Sequence, residues 1–175
     1  MACFNLVLHP SCTTAVASTI DVMVKRSGPE LLLRYELPDG SDIVWPGAVK
    51  PGRADGLWRT TCFELFLQFD DDERYVEFNF SPSTQWAAYA FEGYRDGMAA
   101  LDLGVPPRIE RLPDGLAVTL DLSGLPRGEH RMGLSAVIEE PDGTKSYWAL
   151  AHVPGPPDFH HPACFAARLP APDAP

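Results

Sequence analysis

Eighteen prolines and fourteen glycines interrupt this chain at short intervals. Proline removes a helical hydrogen bond and both residues favour turns, so long helices have little room. Between the breaks lie short apolar runs with alternating side-chain character. They predict strands over 4–8, 18–25, 30–37, 62–69, 74–80, 84–91, 107–111, 116–122, 131–139, 145–152 and 165–169. Strands so short and regularly spaced point to an all-β fold, a sandwich or jelly roll, rather than to βαβ units. Pro38-Asp39-Gly40, Pro113-Asp114-Gly115 and Pro141-Asp142-Gly143 read as turns, because each pairs a fixed φ with residues that tolerate left-handed geometry. The stretches 46–56 and 153–162 read as loops, and 170–175 as a frayed tail after a single domain over 1–169.

Charge and cysteine usage narrow the function classes. A formal net charge of −10 with no basic run disfavours nucleic acid as a partner. No run of eighteen apolar residues predicts a membrane span, and the first ten residues lack a basic flank and long apolar core, so a cytoplasmic protein is expected. Cys3, Cys12, Cys62 and Cys164 show no C-x-x-C spacing and read as reduced thiols. No phosphate-binding glycine loop, nucleophile elbow, kinase or dinucleotide signature is present.

The stretch from Trp58 to Tyr94 carries the most information. Phe63, Leu65, Leu67 and Phe69 fall on one face of their strand, and Cys62, Glu64, Phe66 and Gln68 on the other. A turn centred on Asp71-Asp72 places Gln68 opposite Tyr75, Phe66 opposite Glu77 and Glu64 opposite Asn79. A tight turn at Pro82-Ser83 then brings Trp86 opposite Asn79, Ala88 opposite Glu77 and Ala90 opposite Tyr75. Glu64, Asn79 and Trp86 would form a row across three strands: a carboxylate and an amide for hydroxyl groups beside an indole for the apolar face of a sugar ring. The alternative for the same residues is an ordinary solvated sheet face with the aromatics packed under a loop.

Pairing across Pro141-Asp142-Gly143 sets Trp148 opposite Val137, Leu150 opposite Ser135 and His152 opposite Gly133. Three of the five histidines, His152, His160 and His161, then fall near Asp158 within ten residues. A divalent metal is one reading of that cluster. The favoured one is a structural loop with no metal, in which Asp158 bonds backbone amides and the prolines fix the path. Glu64 and Glu77, diagonal neighbours in this register, also suit the two-carboxylate chemistry of glycoside hydrolysis, which leaves an uncharacterised hydrolase open.

The stretch Leu57-Trp58-Arg59-Thr60-Thr61-Cys62-Phe63-Glu64-Leu65-Phe66-Leu67, with Tyr75-Val76-Glu77-Phe78-Asn79-Phe80-Ser81-Pro82-Ser83, resembles the DOMON-like superfamily, which includes the family 9 carbohydrate-binding modules. Tyr147-Trp148-Ala149-Leu150-Ala151-His152 and Pro157-Asp158-Phe159-His160-His161-Pro162 extend the likeness to small stand-alone bacterial members. The resemblance implies an immunoglobulin-like jelly-roll β-sandwich of two antiparallel sheets that binds a sugar or, alternatively, haem. It places Trp58 and Glu64 at the ligand side. Where the carbohydrate modules usually carry an aspartate before that strand, this chain has Thr61. For haem, Met98 with His152 or His160 would be the axial pair. The candidate ligand-binding residues are therefore Trp58, Arg59, Glu64, Glu77, Asn79, Trp86, Trp148, His152 and His160, with a small molecule, most simply a sugar, as partner and no cofactor on the carbohydrate reading.

Overall fold

The structure, a computed structural model, describes residues 1–172 apart from Thr14, 39–41 and 70–71. Asp39 and Gly40 of the first Pro-Asp-Gly turn, Asp70 and Asp71 of the acidic turn, and the last three residues of the expected tail lie outside the described residues. Thirteen strands occupy the described chain: β1 (Ala2–Leu8), β2 (Ile20–Ser27), β3 (Glu30–Glu36), β4 (Gly52–Arg53), β5 (Cys62–Phe69), β6 (Tyr75–Phe80), β7 (Gln85–Phe91), β8 (Ala99–Ala100), β9 (Arg108–Leu112), β10 (Gly115–Asp121), β11 (His130–Glu139), β12 (Lys145–Ala149) and β13 (Ala167–Leu169). Among the described residues, helix is confined to single 3-10 turns such as Leu57–Arg59 and Pro162–Cys164. All eleven stretches that alternate in sequence overlap a strand. β4 and β8, two residues each, offer no alternation to read, and β4 lies inside the stretch taken for a loop.

The strands pair in the order β4-β7-β6-β5-β11-β12-β1-β2-β3-β10-β9, with β13 on β11 and β8 on β7. Every pairing is antiparallel except β4 with β7. The sheet curls at β1, whose residues Ala2–Leu6 pair with β2 while Val7 and Leu8 pair with β12. One apolar face of each arm therefore turns inward. Leu31, Leu33 and Tyr35 of β3 and Leu116, Val118 and Leu120 of β10 share one core with Phe63, Leu65 and Leu67 of β5 and Phe78 and Phe80 of β6. The Tyr35 and Phe63 rings lie 4.9 Å apart, and the Tyr35 hydroxyl donates to the Glu64 carbonyl at 2.8 Å. Each fully buried Leu or Phe in such a core contributes about 1.5–3 kcal/mol.

The β5–β6 register is the one the sequence predicts: Glu64 faces Asn79, Phe66 faces Glu77 and Gln68 faces Tyr75. The next two hairpins differ by one residue, for one shared reason. Between β6 and β7 the Ser81 N–H donates to the Gln85 carbonyl, and Thr84 adopts φ 74°, so the loop has three residues and a left-handed third position rather than two residues. Trp86 thus faces Phe80, and Asn79, Glu77 and Tyr75 face Ala87, Tyr89 and Phe91. Between β11 and β12 the Glu140 N–H donates to the Thr144 carbonyl around Gly143 at φ 87°. Trp148 faces Ala136, Tyr147 faces Val137 and Ala149 faces Ser135. A one-residue slip turns every side chain to the other face. Trp86 and Trp148 are accordingly core residues, not ligand-face residues.

Candidate functional site

On the side of β5–β7 and β11 turned away from the main core, side chains that an open sheet would show to water are buried. Glu64, Phe66 and Gln68 on β5, Tyr75, Glu77 and Asn79 on β6, and Ser135 on β11 are all inaccessible or nearly so. The cover comes from the Leu57–Arg59 turn, the loop after β7 and the loop after β12. Phe66, Tyr75, Phe91 and Phe165 form a second small core beneath that cover. The Tyr75 and Phe91 rings stack at 4.6 Å, and Phe66 and Phe165 at 5.6 Å.

Gly133 makes the close approach possible. A Cβ there would stand 2.7 Å from Cδ1 of Phe165, so the ring rests directly on the β11 backbone. Gly133→Ala is expected to displace Phe165 and lower stability by about 1–3 kcal/mol, the usual cost of overpacking, in a urea unfolding titration. Arg131 fastens the same segment by donating from Nη2 to the Pro162 carbonyl at 2.7 Å.

Asp158 organises the covering loop. One of its carboxylate oxygens accepts from the His160 backbone N–H at 3.2 Å and from Arg95 Nη2 at 2.8 Å, and the other accepts from the Tyr94 hydroxyl. Burial opposes its ionisation, but the Tyr94 and Arg95 hydrogen bonds outweigh burial and hold the carboxyl below its ordinary value. The loop role expected for Asp158 is what the geometry shows.

Tyr75 accepts at its hydroxyl from the Arg95 backbone N–H at 3.3 Å and lies 2.8 Å from His160 Nδ1. With that hydroxyl donating to Nδ1, the His160 proton sits on Nε2, which faces Glu77 Oε2 at 3.7 Å. Burial, then the Arg95 charge, push His160 down to about 4 against the opposing Asp158, so the imidazole is neutral and the contact with Glu77 is not an ion pair at neutral pH.

Between this floor and the loops lies a cavity of about 670 Å³. Glu64, Glu77 and His160 line it with Trp58, Arg95 and Met98, and Tyr89, Phe91, Tyr147 and Phe159 supply much of the apolar wall. Glu64 accepts from Ser135 Oγ at 2.8 Å, and Glu77 accepts from Asn79 Nδ2 at 2.6 Å. Burial, then the neighbouring Glu77, raise Glu64 to about 8; Glu77 is itself raised by burial, against the Asn79 hydrogen bond and Arg95. A carboxyl held protonated beside a second acid can both donate to and accept from a polar ligand.

Of the residues singled out in the sequence, Trp58, Glu64, Glu77 and His160 meet in this cavity. Asn79 positions the Glu77 carboxylate. Arg59 lies beside the site, its guanidinium 5.7 Å from the Trp58 ring. Trp86 and Trp148 are withdrawn from the site by the hairpin registers described above. His152 is withdrawn because β12 ends at Ala149; its Nε2 donates to the Val7 carbonyl at 2.7 Å, and its ring meets His9 edge-on at 4.8 Å. Tyr89, Phe91 and Tyr147 were concealed by the same slips, since a three-residue loop assigned to either hairpin brings them to this face. Arg95 and Phe159 come from loops and left no periodic signal.

The haem alternative fares less well against these contacts. Met98 and His160 do share the cavity, but Tyr75 is hydrogen-bonded to His160 Nδ1 and Nε2 is turned to Glu77, so both ring nitrogens already face protein groups. His152 lies outside the cavity lining. These residues do not fit an axial pair.

No family model matches the chain, and no curated protein matches it in sequence. Its fold is similar to that of a protein from Bacteroides uniformis described as a "putative carbohydrate-binding protein", with a TM-score of 0.59 over 93% of this chain and 83% of that one. The two are 17% identical, so the likeness is one of fold.

Proposed function

We propose that the cavity binds a small carbohydrate, and that the chain is a binding module rather than an enzyme. The observation that carries this reading is a buried polar floor, Glu64 with Glu77, in a cavity lined also by the aromatic residues Trp58, Tyr89, Phe91, Tyr147 and Phe159. Hydroxyl groups need partners that both donate and accept, and the C–H face of a sugar ring needs an aromatic surface. The Bacteroides neighbour supports the reading through its fold and its printed description. On the same reading the curled sheet is a two-sheet, immunoglobulin-like jelly roll of the DOMON-like superfamily, forming one domain over 1–169, and the four free cysteines suit the cytoplasm.

Trp58 borders the cavity and is half-exposed, so its fluorescence is the natural reporter. Titration with a panel of mono- and oligosaccharides is expected to give a saturable change. Tyr147→Ala is expected to weaken binding about tenfold, or about 1.4 kcal/mol, without unfolding the protein. Absence of a response to every sugar in the panel overturns the proposal.

A further inference from the structure

The acid pair lacks the partner such pairs usually have. Glu64 and Glu77 sit diagonally on adjacent strands, both buried and both facing one cavity. Among the described residues, no lysine or arginine forms an ion pair with either. Arg95 lines the cavity, but its guanidinium donates to Asp158, and His160 is uncharged at neutral pH. The same cavity is lined by the aromatic residues Trp58, Tyr89, Phe91, Tyr147 and Phe159. A neutral hydroxyl can bond to such a floor but supplies no counter-charge to it. A cation supplies that charge, pairs with both carboxyls once their shared proton leaves, and gains from neighbouring aromatic rings as well.

We infer that the natural occupant of this cavity carries a primary ammonium group seated between Glu64 and Glu77. The inference rests on the carbohydrate reading above for the rest of the ligand, which makes that ligand a hexosamine with a free amine; an alkyl diamine is the other source of the same chemistry. The chain's net charge of −10 favours the approach of such a cation. Because Glu64 holds a proton at neutral pH, seating an ammonium releases it: the amine and the proton compete for the same carboxyl oxygens.

The test is calorimetric titration of the full chain at about pH 6, where amine probes arrive already protonated, using D-glucosamine, D-glucose, N-acetyl-D-glucosamine and 1,5-diaminopentane. The expected result is that D-glucosamine binds at least about tenfold tighter than D-glucose and N-acetyl-D-glucosamine, with heats that change between buffers in the sense of proton release. Glu64→Gln and Glu77→Gln should each reduce that preference to about twofold or less. The wild-type preference stands as a test even if a variant fails to fold. Equal affinity for D-glucosamine and D-glucose overturns the ammonium inference while leaving the carbohydrate reading in place. Binding of 1,5-diaminopentane with no sugar bound upholds the ammonium seat and overturns the carbohydrate reading. No binding by any of the four overturns both.

Discussion

Replacing Trp86 with alanine is expected to lower stability by about 3–5 kcal/mol, the range for deleting a large aromatic from a packed core. The ring is only 8% exposed, faces Phe80 across β6–β7, and carries the Arg53 guanidinium 5.0 Å from its centre. Its backbone carbonyl also receives the Ala54 N–H, which holds the short parallel strand β4 in place. Urea unfolding followed by far-ultraviolet circular dichroism measures the loss. The companion measurement is ligand affinity in the fraction that remains folded, which should be unchanged because the indole lies on the opposite face from Glu77 and Tyr89. A marked loss of affinity with unchanged stability would place Trp86 back in the site and contradict the register observed here.

A second large effect is expected in the pH dependence of stability. Glu64 rises from an ordinary 4.5 to about 8 on folding, so the folded chain binds a proton that the unfolded chain has released. That contribution is fully present below pH 4.5 and is lost as pH rises through 8. His160 runs the other way, falling from 6.5 to about 4, so its contribution is present above pH 6.5 and is lost as pH falls through 4. The two slopes oppose each other between pH 4.5 and 6.5, where stability should be nearly flat. Between pH 6.5 and 8 the His160 slope no longer opposes, and the Glu64 slope should lower stability by about 2 kcal/mol. Glu77, raised in the same direction, adds to the decline. In Glu64→Gln the decline above pH 6.5 should largely disappear, while the acid-side loss from His160 remains. Urea midpoints of the two proteins across this pH range provide the comparison. A wild-type midpoint that does not change between pH 6.5 and 8 would show that Glu64 is not held protonated.

These two expectations also mark how far the sequence could be read. Alternation located the strands, because half-buried sheets impose a period of two on side chains wherever several residues lie in one strand. It also assigned Phe63, Leu65 and Leu67 to the core and Glu64 to the other face, as observed. Alternation alone cannot set the phase between neighbouring strands; the turn does that. Two-residue and three-residue loops leave similar sequence signals when the left-handed position is held by Thr84 instead of glycine. Glu64, Glu77 and Asn79 were legible because they depend on the β5–β6 register alone, whereas Trp86 and Tyr89 exchanged faces because they depend on the next turn. The covering of this sheet face by loops was not legible at all. It arises from Phe165 resting on Gly133 and Asp158 tying two loops together, contacts between residues far apart in sequence.

The double pairing of β1 bears on how the chain reaches this fold. Val7 meets Ala149, a partner that emerges from the ribosome only after most of the chain has been made. Until then β1 has only β2 to pair with, through Ala2–Leu6, and the edge at Val7 and Leu8 is open. Joining the two arms is therefore a late, long-range closure, the kind of step that slows folding of β-rich chains and exposes them to association with one another in the meantime.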